Sequence, residues 1–198
     1  MLFSATKRFE FEMAHTLKDS YSEACQRIHG HSYILDVTLT SNKLNEAGMV
    51  IDFKKVKDII GDYVKSWDHI FVHNYNGIND NLNIGMKYIS YNPTAERMVR
   101  DIFDNITKLL SVVDQTNKVI VSKVRLQETR TGWAEYFLTE KEIEEKLNKD
   151  EESDEPIGKC HNDDTYCQFY ASGACYDKEN LPCRYREYYG KDPFKEIM

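Results

Sequence analysis

Two alternating apolar runs, each meeting a histidine at one end, constrain this chain more than any other feature. Phe9, Phe11, Met13 and His15 occupy every second position, and Cys25-Gln-Arg-Ile-His29-Gly-His31 leads into a run rich in β-branched and aromatic residues. In a strand, residues two apart share a face of the sheet. His29 and His31 can therefore reach one metal ion together, with Cys25 close by and His15 supplied from upstream. Three histidines and an open fourth position are what a catalytic zinc site requires. His-x-His alone also occurs by chance, since most imidazoles bind nothing, so the rest of the chain must decide.

The chain has 198 residues, of which 41% are hydrophobic and 12% aromatic, enough for one domain with a packed core and an extension. No apolar run is long enough to span a membrane, and the N-terminus lacks the charged, apolar and small-residue sections of a signal peptide. A cytoplasmic protein is expected. The net charge of -7 is unevenly placed: residues 139–156 hold nine acidic and three basic side chains. The remainder is nearly neutral, which argues against a nucleic-acid surface built on a basic stripe.

Residues 2–15 read as a first strand and 31–41 as a second. Val56, Ile59, Ile60, Tyr63, Val64 and Trp67 then follow the spacing of one buried helical face. A loop of Asn, Gly and Asp is expected over about 73–85, with His73 at the surface. Asn92-Pro93 is expected to open a second helix, Asn92 as N-cap and Pro93 at the first helical position. Residues 118–128 alternate again, Thr129 to Gly132 would turn a hairpin, and 132–138 would close it. The expected order is ββ-α-α-ββ, an α+β domain over 1–138 with an antiparallel sheet. An acidic linker follows over 139–156, then a Cys-rich extension over 157–198.

The order of motifs carries a resemblance. His15, Cys25-x-x-x-His29-Gly-His31, Gly48-Met49-Val50-Ile51-Asp52-Phe53, Asp68-His69, Pro93-Thr94-Ala95-Glu96 and Glu128-Thr129 occur in sequence. Together they resemble the 6-pyruvoyl-tetrahydropterin synthase superfamily. The three-residue gap between Cys25 and His29 looks like its 6-carboxy-5,6,7,8-tetrahydropterin synthase branch, which serves queuosine and other deazapurine pathways. The similarity covers about residues 2–138. It implies the tunnelling fold: two helices on one face of the sheet, subunits joined side by side into a β-barrel, two trimers stacked as a hexamer, and active sites between subunits.

The resemblance also implies a substrate, 7,8-dihydroneopterin triphosphate, converted to 6-carboxytetrahydropterin (preQ0 pathway) with release of acetaldehyde and triphosphate. It makes His15, His29 and His31 the zinc ligands and Cys25 the general base, with Asp68 and His69 assisting. A thiol acts as a base in its thiolate form, which neighbouring positive charge favours. Glu128 would anchor the pterin by accepting two hydrogen bonds from its amidine-like edge and join the proton relay. Thr94 is a substrate-binding candidate, although it and Glu96 lie in a helix's first turn, where both types are common for capping reasons alone. Arg27, Lys54 and Lys55 are charge-type candidates for the triphosphate.

Cys160, Cys167, Cys175 and Cys183 have no counterpart in the family pattern. Their spacing is not the close pairing of a zinc ribbon, yet four thiols in a segment poor in core suggest a second, structural zinc. Two other functional readings stand beside the first. One is the pyruvoyl enzyme, which eliminates triphosphate but keeps the three-carbon side chain. The other is a non-catalytic binding protein acting through its Cys-rich tail.

Overall fold

The computed structural model describes residues 1–74, 85–113 and 118–148. Two long strands, β1 (Phe3–His15) and β2 (His29–Ser41), pair antiparallel over their whole length, from Phe3 opposite Ser41 to His15 opposite His29. Between them lies one short helical turn, α1 (Glu23–Gln26). The chain continues through α2 (Phe53–Lys65), β3 (Ile70–His73), β4 (Gly85–Tyr88), α3 (Ala95–Val113), β5 (Ile120–Gln127), β6 (Trp133–Phe137) and α4 (Glu140–Asn148). The six strands form one sheet in the order β4-β3-β1-β2-β5-β6. These elements belong to a compact unit spanning Met1–Lys149.

The sheet corrects the antiparallel expectation. β3 runs parallel to β1, and β4 runs parallel to β3, so the sheet is mixed. Both extra strands have only four residues, too short to show a period in sequence. The sheet is also open within one subunit, with β4 and β6 as its outer strands.

The core lies on one face of the sheet. Phe11 and Met13 of β1, Tyr33, Leu35, Val37 and Leu39 of β2, and Val121, Val124 and Leu126 of β5 pack with Val56, Ile60 and Val64 of α2 and Met98, Val99, Ile102 and Ile106 of α3. Helices α2 and α3 thus cover the same sheet face. Val121 and Val124 break the period of two, and a bulge explains why both are buried. Thr38 pairs with Lys123 but Leu39 pairs with Val121, leaving Ser122 as the extra residue. Ser122 is held there by Thr40, whose hydroxyl lies 2.7 Å from its own. Replacing Leu35, 1% exposed at the centre of this layer, with alanine should cost about 2–5 kcal/mol, read by denaturant unfolding.

Helix starts follow local chemistry. Asp52 caps α2 by accepting from the Lys54 N–H at 2.6 Å. Thr139 and Glu142 form a reciprocal capping box on α4, with Glu142 Oε2 accepting from the Thr139 N–H at 2.7 Å. The start of α3 differs from expectation: Thr94, not Asn92, is the cap. Its carbonyl accepts from the Met98 N–H at 2.9 Å and its hydroxyl from the Arg97 N–H at 3.4 Å. Pro93 therefore stands outside the helix, and its carbonyl is free for another partner.

Among the described residues no helix is long and apolar enough to cross a membrane. Most of the loop expected over about 73–85, the acidic segment after 148, and the tail cysteines Cys160, Cys167, Cys175 and Cys183 lie outside the described residues.

Candidate active site

The register of β1 and β2 assembles the histidines. His15 sits opposite His29, and Met13 opposite His31, so all three imidazoles project from the helix-covered face at one end of the hairpin. Their ring centroids lie 4.5 to 5.3 Å apart. One ring nitrogen from each falls within 4.8 Å of the others, a spacing that could hold a metal ion. Gly30 between the two histidines faces the opposite way. A Cβ there would stand 3.3 Å from the Met13 carbonyl oxygen, so the close strand approach favours glycine.

Two of the three rings have their tautomer fixed. His15 is fully buried and donates from Nδ1 to the Pro93 carbonyl at 2.9 Å. His29 donates from Nδ1 to the Arg27 carbonyl at 2.8 Å. A carbonyl can only accept, so both rings carry the proton on Nδ1 and keep a lone pair on Nε2. This is the outer-shell arrangement that orients metal-binding histidines.

The site also brings a carboxylate against the imidazoles. Glu128 Oε1 lies 3.5 Å from His15 Nε2 and 4.0 Å from His31 Nε2. Tyr33 donates its hydroxyl to Glu128 Oε1 at 3.2 Å. Burial and the Glu128 charge push the Tyr33 phenol far above its ordinary range, so it stays a donor. Converging imidazole lone pairs beside a carboxylate oxygen are the donor set a divalent cation such as zinc would satisfy.

Burial holds the His15 and His31 pKa values below the ordinary imidazole value of 6.5. Glu128 opposes this without reversing it. The unfolded chain therefore takes up protons on these rings before the folded chain does. Stability should rise with pH across the interval below 6.5 and be lost as pH falls through it. Thermal unfolding of the metal-free protein should give a lower Tm near pH 5 than near pH 7.5. Equal values would show that the folded chain takes up protons as readily as the unfolded one, contrary to the lowered pKa values.

The other expected site residues are distributed as follows. Cys25 lies in α1, is half-buried and unbonded to another cysteine, and its carbonyl accepts from the Leu17 N–H at 2.9 Å. It falls outside the group of mutually close ligand atoms. Glu128 and Thr94 both line a cleft of about 390 Å³, together with Leu17, Glu96 and Trp133. The Arg27 side chain is exposed, and the site uses its backbone carbonyl. Lys54 is engaged with Asp58 at 2.7 Å on the surface of α2.

Asp68 and His69 form a separate unit. They sit beside Glu12, because Met13 pairs with Ile70. Asp68 Oδ1 accepts from the Glu12 N–H at 2.9 Å and from His69 Nδ1 at 2.8 Å. The Glu12 hydrogen bond, more than the His69 one, holds the Asp68 carboxyl below its usual range. His69 has φ 57°, a left-handed conformation uncommon for a non-glycine residue, and its side chain is 77% exposed. Its backbone N–H is pinned to the Glu12 carbonyl at 2.6 Å. His15 is three residues further along β1, roughly 10 Å at the rise of a strand, so within one subunit the pair stands apart from the three histidines.

Sequence reasoning missed two contributors to the site and misplaced one residue outside it. Tyr33 shares the strand face of His29 and His31, and that spacing of two was the available signal. The Pro93 carbonyl left no signal, since its role depends on the position of the α3 cap. His73, expected at the surface, is buried and stacks on Phe71 with centroids 5.4 Å apart.

The fold and the three-histidine cluster define an α+β protein in which three imidazoles that could hold a metal ion stand beside Glu128, which lines a polar cleft. The family model described as 6-pyruvoyl tetrahydropterin synthase matches residues 4–139. A protein of Aquifex aeolicus named 6-carboxy-5,6,7,8-tetrahydropterin synthase is 31% identical over 162 residues, covering 69% of this chain and 98% of its own length. One of the same name from Haemophilus influenzae is 31% identical over 148 residues, covering 68% and 99%. The crystal structure of 6-pyruvoyl tetrahydropterin synthase from Plasmodium vivax shares the fold, with TM-score 0.55 at 18% identity over 70% of this chain and 99% of its own. This chain belongs to the 6-pyruvoyl tetrahydropterin synthase family and is an enzyme of the lyase type, on the side of the relatives named 6-carboxy-5,6,7,8-tetrahydropterin synthase.

Proposed function

We propose that this enzyme is zinc-dependent and converts 7,8-dihydroneopterin triphosphate and one water to 6-carboxy-5,6,7,8-tetrahydropterin, acetaldehyde and triphosphate, as a cytoplasmic step toward queuosine. The observation that carries this reading is the convergence of His15, His29 and His31 nitrogens beside Glu128, in a chain whose relatives at about 30% identity bear the carboxy-synthase name. The relatives also weigh against the pyruvoyl product. Intact Cys25, His69 and Glu128 weigh against a purely binding role.

The chain's own residues divide the work. His15, His29 and His31 hold the zinc, which supplies Lewis-acid polarisation of the substrate's side-chain oxygens. Cys25 removes a carbon-bound proton. Glu128 accepts hydrogen bonds from the pterin ring N–H and amino group, and Thr94 borders the same cleft. His69 relays protons through Nε2, because its Nδ1 is committed to Asp68.

The separation of Asp68-His69 from the histidine cluster, and the exposure of His69, support completion of each site by a neighbouring subunit. So do the open sheet edges. β6 presents Trp133 and Phe137 and β4 presents Tyr88, all more than half exposed. Edges of this kind call for a partner strand. We assign the assembly as a hexamer of two stacked trimers.

The reading is tested by incubating zinc-loaded protein with 7,8-dihydroneopterin triphosphate and following triphosphate release. Release that stops on chelation and returns with zinc supports it; release unaffected by chelation contradicts the metal's role. Glu128→Gln keeps the shape but loses the charge. It should weaken pterin binding by roughly 10- to 100-fold, the range for hydrogen bonds to a charged group. Calorimetric titration with 6-carboxypterin checks this.

A further inference from the structure

Glu128 faces two demands. It lines the cleft, yet one of its oxygens lies against the histidine nitrogens. A carboxylate so close to a metal centre would tend to close onto the ion and leave the heterocycle unbound. Something must fix which oxygen faces which way.

Tyr33 is the residue in position to do this. Its ring is 1% exposed and stacks on Phe11, its cross-strand partner, with centroids 5.3 Å apart and planes 12° from parallel. The ring therefore cannot swing, and its hydroxyl is carried to one place. That place is 3.2 Å from Glu128 Oε1 and 3.5 Å from His15 Nε2. Glu128 stands just beyond the end of β5 with its N–H donated to the Gly132 carbonyl at 3.1 Å, which fixes its backbone but not which carboxylate oxygen faces the histidines. Oε1 is thus engaged by Tyr33, whereas Oε2 has no partner among the described residues. Phenylalanine would fill the same space against Phe11, so packing alone does not call for the hydroxyl.

We infer that Tyr33 is a positioning residue: its hydroxyl fixes Glu128 Oε1 on the histidine side of the site and so leaves Oε2 for the substrate's ring. This rests on the reading of Glu128 as the pterin anchor. Tyr33 acts through Glu128 and takes no part in the bond-breaking steps.

A double-mutant cycle of Tyr33→Phe and Glu128→Gln in the full-length, zinc-loaded protein tests it. The dissociation constant for 6-carboxypterin is read by calorimetry, with zinc content, Tm and steady-state kinetics measured alongside. Tyr33→Phe alone should weaken 6-carboxypterin binding by about tenfold and raise KM by a similar factor, while kcat changes less and zinc content stays the same. In the Glu128→Gln background the same change should have an effect of about twofold or less, because the group it positions has lost its charge.

A full tenfold effect of Tyr33→Phe in both backgrounds would overturn the positioning role while leaving Glu128 as anchor. Loss of zinc from Tyr33→Phe would overturn it too, by showing that the hydroxyl serves the metal. Unchanged binding in Glu128→Gln would overturn the anchor reading and this inference together. Phenylalanine keeps the buried ring, and an unchanged Tm confirms that the cycle compares folded proteins.

Discussion

Replacing His31 with alanine should remove one bound zinc equivalent and lower turnover by roughly a thousandfold, the several kcal/mol that a Lewis acid contributes. His31 is the best ligand to remove. Its side chain is 22% exposed, whereas His15 is fully buried and tied to Pro93, so its loss would also disturb the core. Cutting three nitrogen ligands to two leaves a site too weak to hold zinc against dilution. Metal analysis of purified variant and parent, as a difference, separates this zinc from any held elsewhere in the chain. If the variant kept full zinc and full activity, His31 would not be a ligand and the converging geometry would have another purpose.

Replacing Cys25 with alanine should separate two functions that the histidine variants lose together. The thiol is not among the mutually close ligand atoms, so zinc content should be unchanged. The kcat should fall by about 10²- to 10⁴-fold, the usual contribution of a positioned general base. Cys25 sits in a one-turn helix between the two long strands and is half-buried, so alanine there should hardly alter stability. Zinc loss in Cys25→Ala would make the thiol a metal ligand. Retained turnover would leave the proton-abstracting role to another group.

The contrast between these variants reflects how the site is built. The histidines come from strands whose register is fixed over thirteen paired positions, so their geometry is rigid. Cys25 comes from the connection between those strands, held by its backbone to Leu17 and Ser22. Asp68 and His69 come from the turn between α2 and β3, held to β1 through Glu12. A rigid platform for the proposed metal and an outward-facing His69 fit the proposal that a second subunit completes the site.

Much of this arrangement was legible in the sequence because it rests on periodicity. The spacing of Phe9, Phe11, Met13 and His15, and of His29 and His31, defines strand faces, and strand pairing then brings the imidazoles together. The face of α2 follows from Val56, Ile60, Val64 and Trp67 in the same way, and all four are buried. What was not legible depends on contacts between distant residues. β3 and β4 pair in parallel through only four residues each. The α3 cap is Thr94 and not Asn92, which leaves the Pro93 carbonyl to His15, 78 residues away in the chain. Tyr33 reads as a core aromatic until Glu128, 95 residues distant, supplies its partner. The bulge at Ser122 shows in the sequence only as a missed beat between Val121 and Val124.

The measurement that tests the central claim most directly is the mass of the product. Zinc-loaded full-length protein is mixed with 7,8-dihydroneopterin triphosphate, and the pterin and volatile products are identified by mass spectrometry. The account predicts 6-carboxy-5,6,7,8-tetrahydropterin and acetaldehyde in equal amounts. A pterin that keeps its three-carbon side chain, with triphosphate but no acetaldehyde released, would contradict it and assign the same site to pyruvoyl chemistry.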